Sequence, residues 1–164
     1  MSALYNLTKS DTGSYLFTTD SGLEYTVFFI ECPVLDKEGN SHSVYSFGFE
    51  RQGNFNSEKF SSSFDEKIKS TIIYIINEFF RKNGDKAILY FCYENDEFAR
   101  HRSITFSKWH AESLAGEVLH IKKNTKFKDE MLYGGMLVAK NNPLINLLEG
   151  AIDSYIEEVN NLKN

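Results

Sequence analysis

Proline is scarce in this sequence, with two residues in 164, and no low-complexity tract occurs, so the chain does not belong to the disordered class. There are only two cysteines, Cys32 and Cys92. Both lie in or beside apolar, strand-like runs, where a free thiol packs as a small hydrophobe, and no disulfide is expected between them. The four histidines, at 42, 101, 110 and 120, include no pair four residues apart, and the cysteines form no close pair. A structural zinc site or a metalloprotease helix is therefore not expected, and no metal is assigned. Long apolar runs are missing too. The longest cluster, "IIYIINEFF", is too short and too interrupted to span a bilayer, and the first residues lack a basic segment followed by an apolar one. A soluble cytoplasmic bacterial protein with no membrane partner is the expectation. The sole glycine doublet, Gly134-Gly135, lacks the strand, loop and helix context of a phosphate site, and no serine sits in a nucleophile elbow, so no cofactor is expected. Those two glycines read as a turn or bulge at the start of a strand.

Rings are what the chain has in excess: 14 Phe and 9 Tyr, side chains that suit a pleated, half-buried surface. The net charge of -5 opposes general attraction to phosphate backbones, although a local basic patch can bind from an acidic body. The length suits one domain over residues 1–164 with a core of its own. "SYLFTT" and "LEYTVFFIE" flank Asp20-Ser21-Gly22 and read as a hairpin. "CPVLDKEGNSH" reads as a loop because of Pro33, Gly39 and Asn40. In "SVYSFGFER", Tyr45, Phe47 and Phe49 alternate with small or polar residues, the period of a strand with one face in the core.

Ser63 and Glu66 have the spacing of a capping box, Ile68, Ile72, Ile75, Ile76 and Phe79 recur at helical spacing, and Gly84 reads as a left-handed stop. "AILYFCY" is apolar throughout and reads as a central strand. "EVLHIKK" and "GGMLVAK" are further strands. Asn142 and Pro143 open an amphipathic helix over about 142–162. Its stripe of Leu144, Leu148, Ala151, Ile152, Tyr155, Val159 and Leu162 is widened by Ile145, Leu147 and Ile156. Core packing is the favoured account of that width, and a homodimer through this helix is the second. The fold class that results is α+β: an antiparallel or mixed sheet of about five to six strands with helices mainly on one face.

The densest group of chemistry-bearing residues is "NDEFARHRSITFSKWHAES", from Asn95 to Ser113. Asn95 can cap a helix, and Asp96 and Glu97 stand four residues before Arg100 and His101, so ordinary surface pairing accounts for two of the basic residues. Ala99, Phe106 and Trp109 form an inward stripe, while Ile104 falls off it and suggests a kink or a short strand. The functional reading groups Arg100, His101, Arg102, Lys108, Trp109 and His110 as an interaction surface, with a histidine available for proton transfer. A second basic cluster, Lys122, Lys123, Lys126 and Lys128 around Phe127, is a candidate anion-binding patch, although Asp129 and Glu130 weaken it and a solvated loop is the favoured account.

The order of two strands, an Ile-rich helix, "FCY" and "ARHRSITFSKWH" resembles small Bacteroidota proteins grouped as a domain of unknown function. Arg100, Arg102, Phe106 and Trp109 match its Arg-x-Arg, Phe, Trp pattern. The resemblance covers the first two-thirds of the chain, leaves the C-terminal helix outside, and implies no activity. The expected role is a non-enzymatic module that recognises a protein partner, with Arg100, Arg102 and Trp109 at the contact. The alternative is an RNA-binding or RNA-cleaving protein using the stretch 100–110.

Overall fold

The computed structural model describes residues 3–52, 66–92 and 99–162. A short β1 (Thr8–Lys9) pairs antiparallel with β2 (Tyr15–Thr18), and β2 pairs with β3 (Glu24–Leu35). The connection to β3 is as tight as its residues require. Thr19 N–H donates to Leu23 O at 2.8 Å, and Gly22 takes φ 83°, a left-handed value that glycine adopts without a Cβ clash.

β3 then forms the longest ladder of the protein with β4 (Ser41–Gln52), from Glu24↔Gln52 to Leu35↔Ser41. The expected loop at 32–42 is thus mostly strand, and only its tip turns. Asp36 builds that turn: Oδ1 accepts the Glu38 and Asn40 amides, each at 2.9 Å, and Oδ2 lies 2.7 Å from His42 Nε2. These bonds, His42 first, hold the Asp36 carboxyl down at about 2. Pro33 is tolerated for a geometric reason. The Asp36–Asn40 bond sets the parity of the ladder, so even-numbered residues of β3 bond to β4 and odd-numbered ones aim the other way. On that other side β2 reaches only Val27, so the missing Pro33 N–H falls on an open edge, where it costs no ladder bond.

Helix α1 (Glu66–Lys82) buries Ile68, Ile72, Ile75, Ile76 and Phe79, as its periodicity predicts. Ser63 lies outside the described residues. The helix does not end on a left-handed Gly84; Asn83 closes it, donating from its backbone and its side chain to Phe79 O at 2.8 and 3.0 Å. β5 (Ala87–Cys92) follows and is central, parallel to β4 and antiparallel to β8 (Glu130–Ala139). Helix α2 (Ala99–Ser113) leads to β6 (Val118–Lys122) and β7 (Thr125–Phe127), both paired with β8. Their register is shared, since Lys122 meets Gly135 and Thr125 meets Leu132. They therefore form one long hairpin closed by Lys128 and Asp129, at φ 48° and 68°, the two left-handed residues of a tight primed turn.

The sheet order is β1-β2-β3-β4-β5-β8-β6 with β7 beside β8, eight strands among the described residues where about five to six were expected. The short β1 and the division of one arm into β6 and β7 account for the excess. α3 (Ile145–Leu162) starts as its sequence predicts, with Asn142 Oδ1 accepting the Leu144 amide at 2.8 Å.

Helices cover both faces of the sheet. Ile88, Tyr90 and Leu137 face α1 and α2, whereas Ala87, Leu89, Met136 and Val138 face Leu148, Ala151 and Ile152 of α3. The one-sided covering expected from the alternation in β4 holds for α1 and α2 and fails for α3. Ile145 and Ile156 join the α3 core, so most of the broad stripe on that helix packs inward; Leu147 stays 41% exposed.

Candidate functional site

The stretch Ala99–Ser113 is a continuous helix, without the kink or short strand that Ile104 suggested. Ala99, Phe106 and Trp109 face inward as expected. Trp109 is 8% exposed and belongs to the core, so it is no part of an exposed platform with Arg100 and Arg102. Arg100, His101 and Lys108 are exposed, while Arg102 and His110 are half-buried. Asn95, Asp96 and Glu97 lie outside the described residues. Lys108 stands 3.7 Å from Glu112, which also binds Lys69 of α1, so one carboxylate ties the two helices and offsets the nearest cation.

His110 has a structural task. Its Nε2 donates to Val118 O at 2.6 Å. The bonds Lys140 N to Glu117 O and Lys123 N to Gly134 O give odd-numbered residues of β6 to β8, so Val118 O aims outward and His110 covers an otherwise open sheet edge. Beneath it Tyr90 Oη and His120 Nε2 are 2.6 Å apart. This is a bond in which the protonated phenol donates to a neutral imidazole. Burial keeps both groups uncharged: it raises the Tyr90 phenol, and it lowers His120 to about 4, with His110 and Lys122 adding repulsion. Gly135 makes the bond sterically feasible, because a Cβ there would fall 2.5 Å from His120 Nε2 and 2.6 Å from Tyr90 Oη. Burial also raises the Cys92 thiol despite nearby Arg102, which leaves it a poor nucleophile.

A pH dependence follows from His120. Its native value lies below that of an unfolded histidine, so the native state binds fewer protons between them. The stabilisation is complete above about pH 6.5 and is lost as pH falls toward 4. The His120 ring should titrate near 4 by NMR, and His120→Gln should flatten the fall in urea midpoint between pH 6.5 and 4.5. A ring titrating near 6.5 would contradict the burial.

The four lysines do not converge. Strand alternation puts Lys122 and Lys126 on one face of the hairpin and Lys123 on the other, while Lys128 sits in the turn, 5.6 Å from the Phe127 ring centroid. Lys123 is clamped to Glu149 and Asp153 of α3 at 2.9 and 2.7 Å, its side chain 9% exposed. It anchors α3 to the hairpin. Among the described residues no cluster of His, Cys, Asp or Glu could hold a metal ion, and no helix is long and apolar enough to cross a membrane.

A cleft that no sequence motif marks lies on the α3 side. β4 and β5 pair only at Val44↔Ala87, Tyr45↔Ile88 and Ser46↔Leu89, although both strands run on, to Gln52 and Cys92. Parallel neighbours that stop pairing must part. On the α1–α2 face the Phe106 ring fills the parting, 6.2 Å from Phe47 and 4.7 Å from Tyr90. On the α3 face no described residue fills it. A cleft of about 310 Å³ runs from Ser46, Leu89 and Phe91 to Thr125 and Phe127 of the hairpin and to Val159 and Asn160 of α3. Phe91 leans over β8 rather than toward β4, since a Cβ on Gly134 would meet its ring at 2.4 Å. The glycine doublet is therefore no turn. It sits within β8 and gives room to Phe91 on one face and to the Tyr90–His120 bond on the other.

This architecture is a three-layer α+β protein with a cleft at the parallel β4–β5 step of its sheet. The chain belongs to DUF6169, a family of unknown function, which it matches over residues 64–153. The matched segment begins after β4 and reaches into α3, so the family region lies later in the chain than the first two-thirds, and the C-terminal helix is partly within it. No curated protein and no solved structure matches the chain.

Proposed function

We propose that this protein is a non-enzymatic binding module whose ligand is a small molecule held where β4 and β5 part. The observation that carries the reading is the ladder ending at Ser46↔Leu89, with a mostly apolar cleft opening beside it under α3. Ligands of α/β sheets settle beyond the carboxyl ends of parallel strands, where neighbouring strands leave a crevice, and the volume is at the lower end of the range for small-molecule sites. The test is Ser46→Phe, which fills the cleft from an exposed strand position. With naphthalene as probe, saturation transfer from wild-type protein should disappear in the variant; transfer that persists in a folded variant counts against the cleft.

Recognition of a protein partner is the second reading, and one observation on α2 favours it. Ile104, 56% exposed, lies between Arg100 and Lys108 at four-residue steps, an apolar side chain flanked by cations on one helix face. An RNA partner is less well supported, because the only tryptophan is in the core and Glu112 offsets Lys108. A homodimer through α3 would rest on Leu147 and Leu162, the exposed remnants of its stripe.

A further inference from the structure

We infer that the cleft under α3 selects an uncharged ligand of about two fused rings that carries a hydroxyl group, and that it rejects carboxylates and phosphates of the same shape. This deepens the binding reading above and rests on it. Size comes first. A cavity of about 150 Å³ holds one benzene ring, so about 310 Å³ accommodates a body twice as large. The walls require that body to be apolar: Val34, Val44, Leu89, Phe91, Ile156 and Val159 supply most of them.

Charge decides the polar end. Among the described residues Glu130 is the only charged side chain that lines the cleft. The last turn of α3, which contributes Val159 and Asn160, adds the negative end of the helix dipole. Four lysines stand on the hairpin, and none is arranged to receive an anion: strand alternation puts Lys122 and Lys126 on the face away from α3. Lys123 is committed to Glu149 and Asp153, and Lys128 lies over the Phe127 ring. An anionic ligand would give up its hydration to face Glu130 without a counter-charge.

Hydrogen bonding points the same way. Asn160 Nδ2 donates to Thr125 Oγ1 at 2.9 Å, which turns the amide so that its Oδ1 remains an acceptor. With Glu130, Asn160 gives this end of the cleft acceptors that an O–H group answers, and the Ser46 and Thr125 hydroxyls, which line the cleft too, can donate to the same group.

The experiment compares 2-naphthol, 2-naphthoate and naphthalene by calorimetry on the intact protein. The expected order is 2-naphthol tightest and 2-naphthoate at least tenfold weaker. Asn160→Leu should reduce 2-naphthol to the affinity of naphthalene, and Glu130→Gln should narrow the gap between naphthol and naphthoate. Ser46→Phe and Val159→Phe, which fill the cleft from opposite walls, should each abolish binding while circular dichroism and melting temperature show an intact fold. Naphthoate binding as tightly as naphthol, and lost in both filled variants, would overturn the ligand class and leave the cleft standing. Binding of none of the three, or binding unchanged in both filled variants, would overturn the cleft reading and this inference together.

Discussion

Gly135→Ala is expected to destabilise the protein by about 3 kcal/mol, the sum of an overpacked contact and a broken buried hydrogen bond. The added methyl would meet His120 Nε2, Tyr90 Oη and Tyr90 Cε1 at 2.5, 2.6 and 2.7 Å, and these are not the ends of flexible chains. Tyr90 is wedged against Phe106, and His120 is held in a strand. Moving either one separates a donor and an acceptor that have no other described side-chain partner. The comparison is Gly116→Ala, where nothing lies within 4 Å and no left-handed angle is imposed, so its effect should be within about 0.5 kcal/mol of zero. Urea denaturation of both variants decides the matter. Equal midpoints would mean that the Tyr90–His120 bond contributes nothing.

Leu148→Ala is expected to cost about 3 to 4 kcal/mol, as deletion of a fully enclosed leucine does when its surroundings cannot collapse. Leu148 is 1% exposed and packs in the cluster with Met136, Val138 and Ile152, on the face of the sheet away from α1 and α2. The variant therefore measures whether α3 is an integral third layer. At this chain length the melting temperature should fall by roughly 10 °C. A change of a degree or two would show that α3 rests on the sheet without sharing its core.

Much of this fold is legible in the sequence because local pattern and tertiary need agree. Periodicity finds α1 and the inward stripe of α2, and the Asn142 cap fixes the start of α3. The uninterrupted apolar run of β5 marks a central strand that can be covered on both faces, in tension with helices mainly on one face, and α3 is the helix that covers the second face. Pro33 with Gly39 and Asn40 mimicked a loop, since whether proline breaks a strand depends on which edge its nitrogen meets, a property of the sheet. Gly134 and Gly135 looked like a turn because their cause is room for the rings of Phe91, Tyr90 and His120, residues distant in sequence. The basic cluster at 100–110 drew attention by composition, yet its Trp109 serves the core and its His110 covers a strand edge. The cleft was invisible for a different reason. It arises where pairing stops between two strands that each look ordinary.

The most direct test of the central claim is a map of backbone amide shifts on adding 2-naphthol to the isotope-labelled protein. Ligand in the cleft predicts perturbations at Ser46, Leu89 and Phe91, at Thr125 and Phe127 of the hairpin, and at Val159 and Asn160 of α3, with Arg100, Ile104 and Lys108 unmoved. Shifts confined to α2, or none at saturating probe, would contradict it.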